Sequence, residues 1–296
     1  MNQKPAIGTR SRTLGILNQY HLNAKKSLGQ NFLDDLNVLE GIVTAADVTD
    51  QDDVVEIGPG IGALTEQIAQ RAHQVLAFEI DQNLMPVLDE TLADYENVTI
   101  VNQDFLQANV PAILAEQLDG RHRLKAVANL PYYITKPILM NFLKGSLSFA
   151  TIVLMMQKEV ANRLVAQPND HDYGALSVMT QYLYQVEIAI AVSQKSFIPA
   201  PKVDSAVVKL TPVATPAEPA YSQTAFFSFV HGCFMHRRKT LWNNLQSVFD
   251  KQPETKVTIK QVLAETGIAA SVRPQALTVS QFVGLTNQFH KVDLLK

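Results

Sequence analysis

The stretch V-V-E-I-G-P-G-I-G-A, residues 54 to 63, decides the fold of this chain. Its first part, Val54 to Ile57, is a short, mainly apolar run typical of a buried strand. Gly58, Gly60 and Gly62 predict a tight turn, because glycine adopts backbone conformations that other residues resist. A helix is predicted next, from Ala63 to Arg71. A strand, a glycine turn and a helix in this order indicate an α/β sheet that binds a ligand beside the turn.

Two classes of ligand fit this turn. The string matches a dinucleotide fingerprint, and Glu79 lies about 20 residues on, where a ribose-binding acid is expected in an NAD-dependent dehydrogenase. Pro59, however, removes one N–H from a phosphate cradle, and Glu56 would place a carboxylate beside a pyrophosphate. A cationic ligand without phosphate, such as S-adenosylmethionine, suits these residues better. A glycine turn without any ligand is the third interpretation.

Two more acids follow at predicted strand ends. Val75 to Ile80 and Val98 to Asn102 have the apolar character of buried strands. Glu79 is suited to accept hydrogen bonds from ribose hydroxyls, and Asp104 from an adenine amine, although an acid at a strand end is also a common helix cap. Because ligands bind at the carboxyl edge of an open parallel sheet, we expect these acids to lie beside the glycine turn.

A fourth strand end carries Asn129-Leu130-Pro131-Tyr132. The Asn129 side chain and the Leu130 carbonyl can each accept a hydrogen bond from an exocyclic amine. Pro131 fixes its own φ and biases Leu130 toward an extended conformation, and Tyr132 offers a flat face for stacking. Taken alone, the tetrapeptide is also a common signal for a turn after a strand.

These strings, with several more, occur in the order of one known family. The further strings are K-K-S-L-G-Q-N-F-L (25–33), F-E-I-D (78–81), N-Q-D-F (102–105), N-L-P-Y-Y-I-T (129–135), M-Q-K-E-V-A-N-R-L (156–164), Y-G-A-L-S-V (173–178), F-I-P-A-P-K-V-D-S (197–205) and H-R-R-K-T-L-W-N-N-L (236–245). From Lys25 onward the chain resembles the ribosomal RNA adenine dimethyltransferases, and most closely their bacterial small-subunit branch.

The resemblance implies a fold and an activity. The fold would be a doubly wound, Rossmann-like α/β sheet with a small C-terminal helical domain. The activity would be dimethylation of the N6 amine of two adjacent adenosines in a hairpin loop near the 3′ end of small-subunit (16S) rRNA, in ribosome biogenesis. The cofactor would be S-adenosylmethionine and the partner the immature small ribosomal subunit, with no metal, no membrane and a monomeric protein.

The resemblance also implies site residues. Those expected at the target base are Asn129, Leu130, Pro131, Tyr132 and Phe197. Those expected at the cofactor are Asn31, Leu33, Gly58, Gly60, Glu79, Asp104 and Asn129. For Phe197 the residues alone favour a core position at a strand end.

Charge and prolines divide the chain. The proline-rich run Thr211 to Ala220 predicts a linker between a catalytic domain, 1–214 with a basic arm at 1–33, and a helical RNA-binding domain, 215–296. The latter holds 9 Lys and Arg against 5 Asp and Glu, and the rest 16 against 23, since the whole chain has 25 and 28. The residues expected to contact RNA phosphates are Lys25, Lys26, Arg237, Arg238 and Lys239. The two arginines could instead cap carbonyl groups.

Other features restrict the class of protein. The chain has a single cysteine, Cys233, which excludes an internal disulfide. Because Cys233 lies among apolar residues, we expect it in the core. No apolar run approaches the ~18 residues of a membrane span, and no signal-peptide core is evident, so we expect a cytoplasmic protein. Beside the NAD-dependent dehydrogenase that the glycine turn alone would allow, two rival functions stay open: a large-subunit rRNA dimethyltransferase of the macrolide-resistance type, and a non-catalytic nucleic-acid-binding relative.

Overall fold

The structure, a computed structural model, describes residues 5–25, 28–145, 147–213 and 218–295. The chain forms two compact units. The first contains the residues up to Ala161 together with Glu187–Pro212, and the second contains Asn162–Val186 together with the residues from Val213 onward.

The strands form one large sheet and one short pair. In chain order they are β1 (Phe32–Leu33), β2 (Asp52–Ile57), β3 (Gln74–Phe78), β4 (Val98–Val101), β5 (Arg123–Asn129), β6 (Thr151–Gln157), β7 (Tyr184–Val192), β8 (Phe197–Ile198) and β9 (Ser205–Pro212). The large sheet has seven strands in the order β4-β3-β2-β5-β6-β9-β7. Strands β2 to β6 pair in parallel, β9 runs antiparallel to β6, and β1 pairs with β8.

Helices surround and follow these strands. They are α1 (Arg10–Gln19), α2 (Leu36–Ala45), α3 (Ala63–Ala69), α4 (Met85–Thr91), α5 (Val110–Gln117), α6 (Thr135–Lys144), α7 (Lys158–Val165), α8 (Ala175–Leu183), α9 (Gln223–Cys233), α10 (Leu241–Val248), α11 (Pro253–Glu265) and α12 (Val279–Lys291). Short 3₁₀ turns occupy residues 82–84, 194–196 and 274–276. Within the described ranges, no helix is both long and apolar enough to cross a membrane.

The order of the strands sets the position of the site. Every residue of β2 is buried, as expected for a central strand that is covered on both faces. The chain proceeds outward from β2 through β3 and β4, and then returns to the other side of β2 with β5 and β6. This reversal between β2 and β5 opens a crevice at their carboxyl ends, where doubly wound sheets bind ligands. The predicted α/β fold is confirmed, with element ends that differ by a few residues.

The N-terminal segment contains structure that the sequence pattern did not indicate. Residues 10–19 form α1, which buries only Thr13, Ile16 and Leu17. With so few buried residues, the segment shows little of the apolar periodicity by which a helix is predicted from sequence. The Arg10 guanidinium donates to Asp34, with Nη1 2.7 Å from Oδ2. Part of the expected basic arm is thus folded onto the first unit.

The second unit is built around aromatic side chains. The Phe229 ring lies 5.6 Å from that of Phe289, between ring centroids, and the Tyr182 ring lies 4.5 Å from that of Phe226. Cys233 is fully buried, and burial raises the pKa of its thiol.

Residues 162–186 belong to this unit, whereas the sequence prediction placed them in the domain 1–214. The reason is packing: Tyr182 contacts Phe226, and the Tyr173 hydroxyl donates to the Leu277 carbonyl at 2.9 Å. The predicted boundary, between residues 214 and 215, lies outside the described residues.

Candidate functional site

A cavity of about 270 Å³ lies at the carboxyl ends of the parallel strands, within the first unit. Its walls come from residues 28–33, 57–61, 63–64, 78–80, 103–106 and 129–134, with Leu39, Ile138 and Phe197. Every residue that the sequence predicted for the cofactor or the target base lines this cavity. The structure therefore brings together segments that are more than a hundred residues apart in the chain.

The glycine turn forms one wall. Gly58 and Gly60 have φ values of 73° and 62°, in the left-handed region that favours glycine. The Gly58 N–H donates to the Phe78 carbonyl at 2.9 Å, which holds the turn against the end of β3. A residue with a side chain would be strained in this left-handed conformation at either position. Because both residues are glycines, no side chain covers the main chain of the turn where it lines the cavity.

Glu79 anchors the glycine turn. Its Oε2 accepts from the Gly60 N–H at 3.2 Å, and its Oε1 accepts from the Asp81 N–H at 2.8 Å. The side chain is buried, and burial raises the pKa of its carboxyl despite these hydrogen bonds. Each oxygen keeps a second lone pair, so the carboxylate can accept further hydrogen bonds from a ligand.

Asp104 and Asn31 also line the cavity. Asp104 accepts from the Leu106 N–H at 3.0 Å and from the Gln107 side-chain amide at 2.9 Å. These contacts stabilise a turn and do not cap a helix, because α5 begins at Val110 and is capped by Asn109. The Asp104 carboxylate has further lone pairs. Asn31 donates to the Gly29 carbonyl at 3.0 Å, which leaves its side-chain oxygen available.

A buried carboxyl, Glu56, lies on β2 just before the turn. It is 1% exposed, and among the described residues its Oε2 has no hydrogen-bond partner. Burial, reinforced by the charge of Glu79, raises the pKa of Glu56 to about 8. A positive charge in the cavity would compensate an ionised Glu56, whereas a pyrophosphate would be repelled by it.

Asn129 is the polar group best placed to receive a new partner. It is the last residue of β5 and is half-buried. Its side-chain amide forms no hydrogen bond within the described part of the chain. The N–H of the next residue, Leu130, donates to the Met155 carbonyl at 3.1 Å. The strand therefore presents an unpaired amide on a fixed backbone.

Aromatic residues complete the cavity. The Tyr132 hydroxyl lies 2.9 Å from Ser205 Oγ, which restricts rotation of the ring, and burial raises the pKa of this tyrosine. Phe197 is 4% exposed and pairs with Leu33 between β8 and β1, so it is a core residue that also lines the cavity. Tyr133, which was not selected from the sequence, also lines the cavity and is 53% exposed.

Lys25 has an intramolecular partner that the sequence did not indicate. Its Nζ lies 2.7 Å from Asp81 Oδ1, and the Gln30 amide donates to Asp81 Oδ2 at 3.0 Å. Burial opposes ionisation of Asp81, but the hydrogen bonds from Lys25 and Gln30 outweigh it and lower the pKa of its carboxyl. Because the Asp81 N–H also donates to Glu79, this arrangement fastens segment 28–33 to the cavity wall. Lys26 lies outside the described residues.

The other residues predicted to contact RNA belong to the second unit. Arg237, Arg238 and Lys239 occupy the turn between α9 and α10 and are exposed. Arg237 Nη2 donates to the carbonyls of His171 and Tyr173 at 2.6 and 2.9 Å, so this arginine also caps main-chain groups. By contrast, the side chains of Arg238 and Lys239 form no hydrogen bond to main-chain carbonyls within the described residues.

Comparisons with known proteins identify the family of the chain. The chain matches the family model described as ribosomal RNA adenine dimethylase over residues 21–284. Ribosomal RNA small subunit methyltransferase A of Levilactobacillus brevis is 59% identical over 295 residues, or 99% of both chains. The protein of that name from Pediococcus pentosaceus is 58% identical over 288 residues, or 97% of both.

Two solved structures are also similar. A dimethyladenosine transferase from Plasmodium falciparum has a TM-score of 0.74 and 25% identity, and covers 88% of this chain and 98% of its own. The 23S rRNA methyltransferase ErmE has a TM-score of 0.65 and 29% identity, and covers 88% and 100%. The family match over most of the sequence, with full-length relatives at such identities, shows that the chain belongs to the ribosomal RNA adenine dimethylase family.

Proposed function

We propose that this protein uses S-adenosylmethionine to dimethylate the N6 amine of two adjacent adenosines near the 3′ end of small-subunit (16S) rRNA. The observation that carries the proposal is the cavity, which combines two acceptors for a nucleoside, the buried Glu79 and the half-buried Asp104, with the unpaired amide of Asn129. Relatives named ribosomal RNA small subunit methyltransferase A, 46–59% identical, support the choice of substrate. That substrate implies action in the cytoplasm during ribosome biogenesis, and we propose that the protein acts there as a monomer.

The cavity residues fit the proposed cofactor. Its sulfonium supplies an activated methyl group when it is bound. Glu79 would accept from the ribose hydroxyls and Asp104 from the adenine amine, and the main chain at Gly58 and Gly60 would approach the ligand closely. Asn31 and Leu33 would cover it from the segment that Asp81 holds in place. Glu56 lies on β2 just before the turn, and a cationic ligand beside the turn would favour the ionised form of its carboxyl.

The remaining wall suits a flipped adenine. An adenine inside a helix is unreachable, so the base must leave its stack and enter the cavity. Asn129 and the Leu130 carbonyl would accept from the two N–H groups of its amine, and so orient the nitrogen toward the methyl group. A positioned polar group of this kind contributes on the order of 10²–10³ in rate. Tyr132 would stack on the base, and Phe197 would offer the part of its ring that reaches the cavity.

Basic residues would hold the RNA through its phosphates. Residues 215–296 have a net charge of +4, from 9 basic and 5 acidic groups. Arg238 and Lys239 would contact phosphates directly. Arg237 would contact a phosphate through the guanidinium N–H groups that do not donate to the carbonyls of His171 and Tyr173. Lys25 would serve mainly to position segment 28–33. Lys26 keeps its proposed role at the RNA.

The two rival functions are less well supported. The large-subunit enzyme ErmE is 29% identical, whereas the small-subunit relatives reach 59% over the full length. A non-catalytic relative would have no need for the set of acceptors that lines the cavity.

A transfer assay separates the proposal from both rivals. The purified protein and cofactor carrying a labelled methyl group are incubated with unmethylated small subunits or with large subunits. We expect label in the small subunit alone. Label in the large subunit would favour the macrolide-resistance type, and no label in either, with cofactor binding intact, would favour a non-catalytic relative.

A further inference from the structure

Two histidines and an aspartate meet at the edge of the sheet where the strands begin. Asp53 is the second residue of β2, and His73 and His122 directly precede β3 and β5, the two neighbours of β2. Main-chain bonds fix both histidines beside β2: the His73 N–H donates to the Asp52 carbonyl at 2.9 Å, and the Arg123 N–H donates to Gln51 at 3.1 Å. The topology therefore creates this cluster from three separate segments.

The cluster lies away from the cavity. Asp53 is four steps along an extended strand from Ile57 at the cavity wall, which corresponds to roughly 13 Å. None of the three side chains lines the cavity. Methyl transfer gives them no function, so their arrangement requires a separate explanation.

The distances within the cluster are those of potential metal ligands. His73 Nδ1 lies 2.9 Å and His122 Nδ1 4.0 Å from the same oxygen, Asp53 Oδ1. Each residue offers one donor atom, and these atoms all lie within 4.8 Å of one another. Asp119 Oδ1 lies 3.4 Å from His122 Nδ1 and is a fourth candidate. Among the described residues, this is the one group of three such side chains that meets at these distances.

Burial and access favour a bound ion. The Asp53 side chain is 2% exposed, while those of His73 and His122 are 38% and 19% exposed. The carboxylate is thus fixed from behind by the fold, and the imidazoles face solvent from which an ion can enter. Their rings are stacked, with centroids 3.6 Å apart and planes inclined by 16°.

Small movements would complete the coordination. Zinc binds imidazole nitrogen and carboxylate oxygen at about 2.0–2.2 Å, so tetrahedral ligand atoms lie about 3.3–3.6 Å apart. The measured separations of 2.9 and 4.0 Å bracket this range. The nitrogen lone pairs of stacked rings lie in two nearly parallel planes, so the imidazoles must rotate for these lone pairs to converge on one ion. Side-chain rotation at partly exposed histidines does not require the strands to move.

We propose that Asp53, His73 and His122 bind one divalent transition-metal ion of the zinc type, with Asp119 or water as the fourth ligand. Two imidazoles and one carboxylate suit zinc, cobalt, nickel or copper, whereas magnesium and calcium prefer oxygen ligands alone. The ion cross-links the starts of β2, β3 and β5 and thereby stabilises the sheet that carries the cavity.

Calorimetric titration of the untagged, chelator-treated full-length protein with Zn²⁺ tests the proposal. We expect one ion per chain, a melting temperature that rises with Zn²⁺, and a visible absorption band when Co²⁺ is used instead. His73→Gln and His122→Gln should each weaken binding at least tenfold, since even loss of an outer-shell partner costs ten- to hundredfold. Methyl transfer should be unchanged, which separates this test from that of the proposed function.

His171→Gln is the matched control. His171 Nδ1 lies 3.1 Å from Asp172 Oδ1, but this exposed pair lacks a third ligand among the described residues. The control should bind Zn²⁺ as the wild type does. Should a cluster variant fail to fold, histidine NMR signals of the wild type give the same information, because Zn²⁺ should shift those of two of the seven histidines. Equal binding by wild type and the His73 variant, no binding by wild type, or shifts at other histidines would overturn the proposal.

Discussion

Replacement of Asn129 by alanine should abolish most methyl transfer without harming the fold. The amide forms no hydrogen bond within the described part of the chain, so its removal leaves no protein group unpaired. Its backbone remains fixed by the β5–β6 pairing of Asn129 with Met155. We therefore expect the melting temperature to change little, because costly substitutions act through cavities or unpaired buried groups.

The expected loss of activity follows from the acceptor that is removed. A polar group that stabilises the transition state contributes about 2.7–4 kcal/mol, or about 10²–10³ in rate. Glu79 and Asp104 remain in Asn129→Ala, so cofactor affinity should fall far less than the rate does. Single-turnover transfer of labelled methyl groups to unmethylated small subunits measures the rate, and calorimetry with S-adenosylhomocysteine measures the affinity.

Asn97→Ala is the matched control. The Asn97 amide donates to the carbonyls of Ala69 and Ala72 at 2.9 and 3.0 Å, and it does not line the cavity. This variant should be less stable, because two carbonyls are left without their donor, and it should keep its transfer rate. The assignment of Asn129 is refuted if Asn129→Ala transfers methyl groups at nearly the wild-type rate, or if it melts as low as Asn97→Ala.

Further predictions concern the other residues of the cavity and of the RNA interface. Glu79→Gln should weaken S-adenosylmethionine binding by about 1.5–3 kcal/mol, ten- to hundredfold or somewhat more, and unchanged affinity in calorimetry would remove this acceptor from the site. The pKa of Glu56 is about 8 in the folded protein, whereas its ordinary value is 4.5. Between pH 4.5 and about pH 8, the folded protein therefore keeps a proton on Glu56 that the unfolded chain has released. Stability should therefore fall as the pH rises through this window, by up to about 1.4 kcal/mol per unit, and Glu56→Gln should melt with a flatter pH profile; identical profiles would contradict the raised pKa. Phe197→Leu keeps an apolar side chain in the core and should melt near the wild type, while removal of the ring weakens base capture by about 1–3 kcal/mol; unimpaired RNA methylation would leave Phe197 a core residue only. Neutralising Arg238 and Lys239 with glutamine should lower the slope of log affinity against log salt by about 0.7–0.9 for each phosphate that is no longer neutralised, and an unchanged slope would exclude both residues from the RNA interface.

Local patterns in the sequence predicted the parts of the fold that depend on local constraints. The glycines of residues 58–62 specify a turn that few other residues allow, and apolar runs before Glu79, Asp104 and Asn129 indicate strand ends. Parallel strands then bring these ends to one edge, so the residues of the cavity could be predicted together.

Contacts between distant segments could not be predicted in this way. Lys25 meets Asp81 across 56 residues, and Arg237 caps carbonyls 64 and 66 residues away, and no spacing in the sequence marks such pairs. The helix α1 was missed because it has only three buried residues. Residues 162–186 precede the proline-rich run but group with the helices that follow it, because their packing on α9 depends on aromatic contacts rather than on position in the chain.

Mapping of methyl groups on 16S rRNA by mass spectrometry tests the central claim most directly. Unmethylated small subunits are incubated with the protein and S-adenosylmethionine, and the nucleoside composition and position of each modified fragment are determined. We predict two methyl groups on the N6 nitrogen of each of two neighbouring adenosines, in the hairpin loop near the 3′ end. Methyl groups at another position, on another base, or on large-subunit RNA instead would contradict the proposed function.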